Sequence, residues 1–222
     1  MKTKDEKIAE KQRQEMLHAV YISAAPEFKE FGKIGRLKRD IVITEKIDGT
    51  NSAVIITPEG SVYAQSRTRT LSPHSDNFGF ATWVHQNQQA LKYALGEGTH
   101  FGEWWGNGIQ RGYGKSDRTF SLFNTARWRA TEDLDIHSDL KSLQQSGINI
   151  DVVPLLYHGP WIYEDKEQVG YAPEIIITRL VKHGSFAAPT WMKPEGVVVY
   201  HGPSKTLFKM TVEKDDKHKG EV

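Results

Sequence analysis

The 222-residue chain contains no cysteine, and this absence removes several kinds of site at once. Without thiols there are no disulfide bridges, no thiolate metal ligands and no cysteine nucleophile. A catalytic nucleophile must therefore be a serine, threonine, lysine, histidine or carboxylate side chain. The nine histidines show no spacing typical of metal ligands, so the sequence does not predict a histidine-based metal hydrolase.

Long apolar runs are also missing. Residues 1–15 are strongly charged and contain no apolar signal-peptide core, and no stretch approaches the length of a membrane span. From these features we expect a cytoplasmic protein without a membrane partner. The chain also has no excess of positive or negative charge, since its formal net charge is +1. A local basic surface on such a protein can still bind nucleic acid.

The residues that are present suffice for a folded core, because 38% are hydrophobic and 26% are charged. A chain of this length forms one globular domain, or one domain with a small appendage. We predict a polar helical segment at residues 1–24, a main domain at residues 25–215 and a tail at residues 216–222.

Strand and helix patterns are mixed along the main domain, which predicts an α+β fold. Two predicted strands, residues 52–57 and 61–66, are joined by a Pro-Glu-Gly turn into an antiparallel hairpin. Helices are predicted over residues 77–95 and from Pro173 to the glycine at position 184. Further strands are predicted at residues 40–46, 100–105, 119–124, 152–158, 196–200 and 206–212.

The most informative segment is Thr44-Glu45-Lys46-Ile47-Asp48-Gly49-Thr50-Asn51, in which a lysine ends a predicted strand and enters a tight turn. Such a lysine projects from a rigid edge, and Gly49 is expected to let the backbone approach a ligand closely. An amine attacks phosphorus only in its neutral form, so we expect burial or positive charge around Lys46. Lys-x-Asp-Gly alone is short enough to occur by chance.

Five further segments follow the lysine in a fixed order. They are Ser66-Arg67, Phe101-Gly102-Glu103, Phe120-Ser121-Leu122-Phe123-Asn124, Glu195-Gly196-Val197-Val198-Val199-Tyr200 and Phe208-Lys209-Met210. The ordered set resembles the covalent nucleotidyltransferase superfamily of DNA ligases, RNA ligases and mRNA capping enzymes over residues 40–212. The resemblance implies an adenylation domain of antiparallel sheets flanked by helices, with the active site in the cleft between them.

The resemblance implies a reaction in which Lys46 attacks the α-phosphorus of ATP and carries AMP as a lysyl phosphoramidate. Lys209 would contact the α-phosphate, and Glu195 would organise Mg²⁺, with Mn²⁺ as an alternative, through the metal's water shell. Other members of the superfamily often carry a second lysine two positions before Lys209, where this chain has Leu207.

The resemblance also implies a set of nucleotide contacts. These are Glu45, Ile47, Arg67, Glu103 and Phe123. Glu103 would bind the ribose hydroxyls, and Arg67 would lie near the ribose and phosphates. Phe123 would stack on adenine, with Phe120 as the alternative.

The segment Gly106-Asn107-Gly108-Ile109-Gln110-Arg111-Gly112 resembles RNA ligases of the RNA ligase 2 type. We therefore favour RNA joining, with a DNA ligase, a GTP-using capping enzyme and a non-catalytic nucleotide- or end-binding module as alternatives. Asn51, Arg69 and Arg111 are assigned to the nucleic acid, which would be RNA ends or a nicked duplex. The sequence leaves little room after residue 212 for a C-terminal domain, so we expect short-range substrate contacts or a protein partner in its place.

Overall fold

The computed structural model describes residues 3–129 and 136–213, which divide into two compact units after Gly35. The first unit contains helix α1 (Lys4–Ala24), followed by chain without regular secondary structure. Thr3 and Glu6 form a capping box, in which each side chain accepts the backbone N–H of the other residue. The second unit starts at Arg36, later than the predicted boundary after residue 24, and the predicted tail lies outside the described residues.

The second unit contains twelve strands and four helices among its described residues. The strands are β1 (Asp40–Lys46), β2 (Thr50–Ile56), β3 (Val62–Ser66), β4 (Thr70–Leu71), β5 (Gly98–Gly106), β6 (Arg118–Leu122), β7 (Ile150–Val152), β8 (Leu155–Pro160), β9 (Ile162–Glu164), β10 (Val169–Tyr171), β11 (Gly196–His201) and β12 (Thr206–Thr211). The helices are α2 (Phe80–Leu95), α3 (Thr125–Trp128), α4 (Ser138–Gln145) and α5 (Ala172–His183). The predicted α+β fold class is confirmed.

A four-stranded antiparallel sheet contains β1 in its interior, in the order β12-β11-β1-β8. Buried and partly buried residues alternate along β1, because successive side chains of a strand point to opposite faces. The buried face, with Ile41 and Ile43, packs against Ile176 and Leu180 of α5. Lys46 lies on the opposite face, which is turned away from α5.

A six-stranded sheet has the order β4-β3-β2-β5-β6-β7, and its strand pairs are antiparallel except for β6 with β7. One face packs against α2 and α4 and forms the largest core, which includes Val54, Phe80, Trp104, Phe120 and Leu140. The Phe80 ring lies 5.1 Å from that of Phe120 and 5.5 Å from that of Trp104. This aromatic packing fixes β5 and β6 against α2.

The strand predicted at residues 152–158 is divided between the two sheets. Its first residue belongs to β7, which pairs with β6, and residues 155–158 belong to β8, which pairs with β1. Pro154 lies at the break, where a residue without an N–H cannot continue a ladder. The sequence patterns also missed β4, α3, α4 and the β9–β10 hairpin, which are too short for a clear hydrophobic period.

Among the described residues, no helix combines the length and the apolar character that crossing a membrane requires.

Candidate active site

Lys46 lies where the chain passes from one sheet to the other. It is the last residue of β1 in the four-stranded sheet, and β2 of the six-stranded sheet begins only four positions later at Thr50. The turn at residues 47–49 is therefore a direct covalent link between the two sheets. A side chain at this point is held by hydrogen-bonded strands on both sides, which makes its position well defined.

The Lys46 ammonium forms an ion pair with Glu195, and its Nζ donates to Glu195 Oε2 at 2.7 Å. Lys46 pairs with Gly196 across the β1–β11 ladder, so Glu195 enters β11 directly beside the lysine. Both side chains are largely buried, with exposed fractions of 25% and 16%. A charge-assisted bond of this length fixes the lysine more firmly than a solvated surface pair would.

Lys209 lies on the same face of the four-stranded sheet as Lys46. Val198 is the cross-strand partner of both Thr44 and Lys209, and Thr44 shares its face of β1 with Lys46. Strand spacing and rise place the two lysine Cα atoms roughly 12 Å apart. The Lys209 side chain is exposed, so both ammonium groups can reach one ligand lying on this face.

Gly49 is required by close contact inside the protein. A Cβ atom at this position would lie 2.5 Å from the Trp104 backbone oxygen and 2.7 Å from the Trp105 Cβ atom. Gly49 therefore does not make room for a ligand, contrary to the expectation from the sequence, because β5 fills the space next to it. The glycine of Lys-x-Asp-Gly lets the turn after the lysine lie directly on the six-stranded sheet.

We predict that Gly49→Ala destabilises the protein by about 1 to 3 kcal/mol, because backbone atoms of β5 must move to admit the methyl group. Gly202→Ala is the matched control, since its added Cβ would meet no atom closer than the Asp40 oxygen at 3.5 Å. Urea denaturation of both variants measures the difference. Equal midpoints for the two variants would show that the close contact at Gly49 does not constrain the turn.

Glu103 on β5 binds the residues that follow the lysine. Its Oε1 accepts the backbone N–H of Gly49 at 3.1 Å, and its Oε2 accepts the Asn51 side-chain amide at 3.0 Å. The side chain is only 8% exposed. Burial raises the pKa of Glu103 from 4.5 to about 7, although the positive charge of Lys46 and the bond from Gly49 act in the opposite direction.

This shift predicts a pH dependence of stability. The folded protein binds the Glu103 proton more tightly than the unfolded chain does, so this group's stabilisation is complete below pH 4.5 and is lost as the pH rises through about 7. The stability of the wild type relative to Glu103→Gln should therefore fall across this range, by at most about 3 kcal/mol. Urea denaturation of both proteins at pH 5 and pH 8 measures the difference in their free energies of unfolding. A difference that is the same at both pH values would contradict the predicted protonation of Glu103.

The side chains of Glu45 and Ile47 do not face the predicted nucleotide site. The Glu45 carboxylate is buried on the other face of β1, where it accepts bonds from the Ser185 hydroxyl and from the backbone N–H groups of Phe186 and Ala187, at 2.8 and 3.0 Å for the two amides. Burial raises its pKa above the usual range. Ile47 is part of a small core cluster. Side-chain contacts of these two residues with a nucleotide do not fit this arrangement, because neighbours of Lys46 on a strand point away from its face. Their assignment to the nucleotide stays a prediction.

Phe123 and Phe120 have very different environments. Phe120 is fully buried in the core beneath α2, so it cannot stack on a bound base. Phe123 follows β6, is 40% exposed, and donates its backbone N–H to the carbonyl of Phe101, whose side chain is exposed as well. Sequence reasoning did not single out Phe101 as a ligand contact. Its position two residues from Glu103 on β5 places it on the face that Glu103 occupies.

The arginines predicted to contact nucleotide or nucleic acid differ in how they are held. Arg67 is exposed after β3. Arg69 donates to the Ser75 carbonyl and hydroxyl, both at 2.9 Å, and to the Asp76 carbonyl at 3.1 Å, so it shapes the loop before α2. The Arg111 Nε donates to the Asp48 carboxylate at 3.0 Å. Two of the three arginines are therefore bound by residues of the protein itself.

A buried tyrosine completes the site, and sequence reasoning missed it. The Tyr113 hydroxyl accepts the backbone N–H of Asp48 at 2.8 Å, and burial raises its pKa above the ordinary value. The glycine-rich segment at residues 106–112 was the available signal, since it marks a tightly folded loop. The segment did not indicate which side chain of the loop would lie in the site.

A partly buried lysine at a strand end, paired with a glutamate beside it and backed by a second lysine on the same face, defines a site of the covalent nucleotidyltransferase type. A family profile described as RNA ligase matches residues 39–211, and the chain belongs to this family. The predicted resemblance is confirmed. No curated protein gives a significant match to the sequence.

Solved structures of Naegleria gruberi RNA ligase have a similar fold. A variant with ATP and Mn is 18% identical, with a TM-score of 0.53, and the match covers 88% of this chain and 60% of that one. An apo variant is 18% identical, with a TM-score of 0.51 and coverage of 88% and 59%. A variant with AMP and Mn is 17% identical, with a TM-score of 0.50 and coverage of 89% and 60%. The chain thus spans about 60% of the length of these ligases.

Proposed function

We propose that the chain is an ATP-dependent RNA ligase that joins 5′-phosphate and 3′-hydroxyl ends through AMP bound covalently to Lys46. The observation that carries the proposal is the partly buried Lys46–Glu195 ion pair at the junction of the two sheets. A binding module needs no amine there, whereas covalent adenylyl transfer does. The family assignment supports the reaction class, and the Naegleria gruberi structures with ATP, AMP and Mn support the choice of nucleotide and metal.

In the first step the Lys46 amine loses its proton to solvent, leaves the ion pair with Glu195 and attacks the α-phosphorus of ATP. The N–P bond forms as the bond to the pyrophosphate oxygen breaks. A 5′-phosphate oxygen of RNA then attacks the same phosphorus, breaking the N–P bond, and the lysine nitrogen takes up a proton. Finally the 3′-hydroxyl attacks the RNA phosphate, loses its proton and releases AMP.

The side chains around Lys46 suit a nucleotide lying across the face that it shares with Lys209. We assign Lys209 to the α-phosphate, Arg67 to the ribose and phosphates, and Glu103 to the ribose hydroxyls. Phe123 is assigned to the adenine face, and Phe101 lies next to it. Asn51, whose amide binds Glu103, is assigned to the phosphate of the RNA end.

Glu195 is the residue that we assign to Mg²⁺ or Mn²⁺. Among the described residues there is no cluster of three or more metal-ligating side chains. One carboxylate fits these ions, because they take oxygen ligands and complete their shell with water and nucleotide phosphates. A divalent ion held there would neutralise the charge that develops on the α-phosphate.

The test of this proposal uses the purified chain with labelled ATP or GTP and Mg²⁺, followed by RNA and DNA substrates. We expect a covalent label from ATP and sealing of RNA ends or nicked RNA, as in RNA repair. Label from GTP would indicate a capping-type enzyme, and a preference for nicked DNA would indicate a DNA ligase. Absence of any label would indicate a nucleotide- or end-binding module. Each of these three results would overturn the proposal.

A further inference from the structure

The loop between β5 and β6 has an unusual backbone. Gln110 and Tyr113 have positive φ angles of 44° and 54°, in a stretch where four glycines also have positive φ. A non-glycine residue in this region costs on the order of 1 kcal/mol and persists only when other contacts fix it. Contacts made by this loop must therefore hold Gln110 and Tyr113 in these conformations.

Arg111 connects two segments of the proposed active site. Its Nε donates to the Asp48 carboxylate at 3.0 Å, two residues after Lys46, and one of its terminal nitrogens donates to the Lys193 carbonyl at 3.4 Å, two residues before Glu195. The side chain is only 25% exposed. Arg111 thus bridges the two chain segments that present Lys46 and Glu195 to each other.

Tyr113 supports the same two segments from inside the protein. Its hydroxyl accepts the Asp48 N–H at 2.8 Å, and the residue is 1% exposed. Its ring lies 5.8 Å from that of Trp191, and the Trp191 indole N–H donates to the Lys193 carbonyl at 2.8 Å. Arg111 and the Tyr113–Trp191 pair therefore converge on Asp48 at one end and on Lys193 at the other.

We propose that Arg111 and Tyr113 are positioning residues for the attack of Lys46 on ATP, and that Arg111 is not a nucleic-acid contact. The inference rests on the proposed function and specifies how its first step is organised. Lys46 and Glu195 come from segments 149 positions apart, and the loop fixes their relative position through Asp48 and Lys193. A displacement of about 1 Å in such a site can cost roughly 100-fold in rate.

The experiment measures formation of lysyl-AMP from ATP in a single turnover, without RNA. Arg111→Gln and Tyr113→Phe are expected to lower the maximal rate by roughly 10- to 100-fold, with little change in the ATP concentration for half-maximal rate. Arg111→Lys should restore only part of the rate, because an ammonium keeps the charge but not the planar fork of donors. Tyr113→Phe keeps the buried ring and removes only the hydroxyl.

Arg179 and Tyr163 supply matched controls away from the site. Arg179 pairs with Asp165 at 3.2 Å and lies over the Tyr163 ring at 4.7 Å, so Arg179→Gln and Tyr163→Phe remove contacts of the same kinds. These variants should form lysyl-AMP at the wild-type rate. If Arg111→Gln lowers the melting temperature no more than Arg179→Gln yet slows the reaction, general destabilisation is excluded as the cause.

Three results would overturn the inference. Normal lysyl-AMP formation by Arg111→Gln, with a defect only in transfer to RNA, would make Arg111 a nucleic-acid contact. Equal rates for the loop variants and their controls would make the loop contacts structural. A wild type that forms no lysyl-AMP would overturn the proposed function together with the inference. The first two results would overturn only the inference, so the two failures can be told apart.

Discussion

Replacing Lys46 with alanine should lower the formation of covalent protein–AMP by on the order of 10³-fold or more, because Lys46 is the amine that the described strands hold beside Glu195 at the junction of the sheets. Joining of ordinary 5′-phosphorylated RNA should fall by the same factor. The measurement is the time course of label transfer from ATP to the denatured protein, together with gel analysis of the RNA product.

Two comparisons make the Lys46→Ala result specific. Lys182→Ala alters an exposed lysine in the last turn of α5 and should leave the rate unchanged. RNA that already carries AMP on its 5′-phosphate bypasses the lysine, so Lys46→Ala should still join it at a measurable rate. If this variant joined ordinary RNA as fast as the wild type, Lys46 would not be the nucleophile.

Glu195→Gln is expected to produce the second large effect. The amide keeps the size of the side chain but removes the negative charge that holds the Lys46 ammonium at 2.7 Å and that we assign to the metal. Loss of a metal-supporting carboxylate typically costs about 10- to 100-fold in metal affinity or activity. We therefore expect slower lysyl-AMP formation and a higher Mg²⁺ requirement.

The dependence of the rate on Mg²⁺ concentration distinguishes the two roles of Glu195. If the curve of the variant is displaced to higher Mg²⁺ but reaches the wild-type maximum, Glu195 acts in metal binding alone. If the maximal rate is also lowered, Glu195 positions Lys46 as well. Glu164→Gln, at an exposed position of β9, is the control and should match the wild type. A wild-type rate for Glu195→Gln at low Mg²⁺ would contradict both roles.

The sequence predicts the fold class and the residues that meet at the site, because the motifs that contain these residues follow one another along the chain in the order typical of the family. Lys46 and Glu195 were each assigned from a local motif, and the structure brings them together although they are 149 positions apart. The ion pair itself could not be read from the sequence. It depends on the register of β1 against β11, which tertiary packing sets.

The side chain of Glu45 faces the core for a reason that the sequence contained. Adjacent residues of a strand point to opposite faces, so a lysine at position 46 that faces the cleft directs the side chain of Glu45 toward the core. The same reasoning could not separate Phe120 from Phe123, because the sequence does not reveal which face of β6 is covered by α2. Only the packed structure shows Phe120 in the core.

The roles of Arg69 and Arg111 illustrate the limit of arguments from charge. A basic residue in a loop fits a nucleic-acid contact as well as it fits a bond within the protein. Arg69 donates to a residue of its own loop, and Arg111 donates to Asp48, which lies 63 positions away in the sequence. The second contact is made by a loop with positive φ angles at Gln110 and Tyr113, which no side-chain pattern indicates.

We propose above all that one side chain, the Lys46 amine, forms a bond to phosphorus. Peptide mapping by mass spectrometry after incubation with ATP and Mg²⁺ tests it most directly. The account predicts a single acid-labile AMP adduct on the peptide that contains Lys46, removed when excess pyrophosphate is added. An adduct located on Lys209 or any other residue, with the Lys46 peptide unmodified, would contradict it.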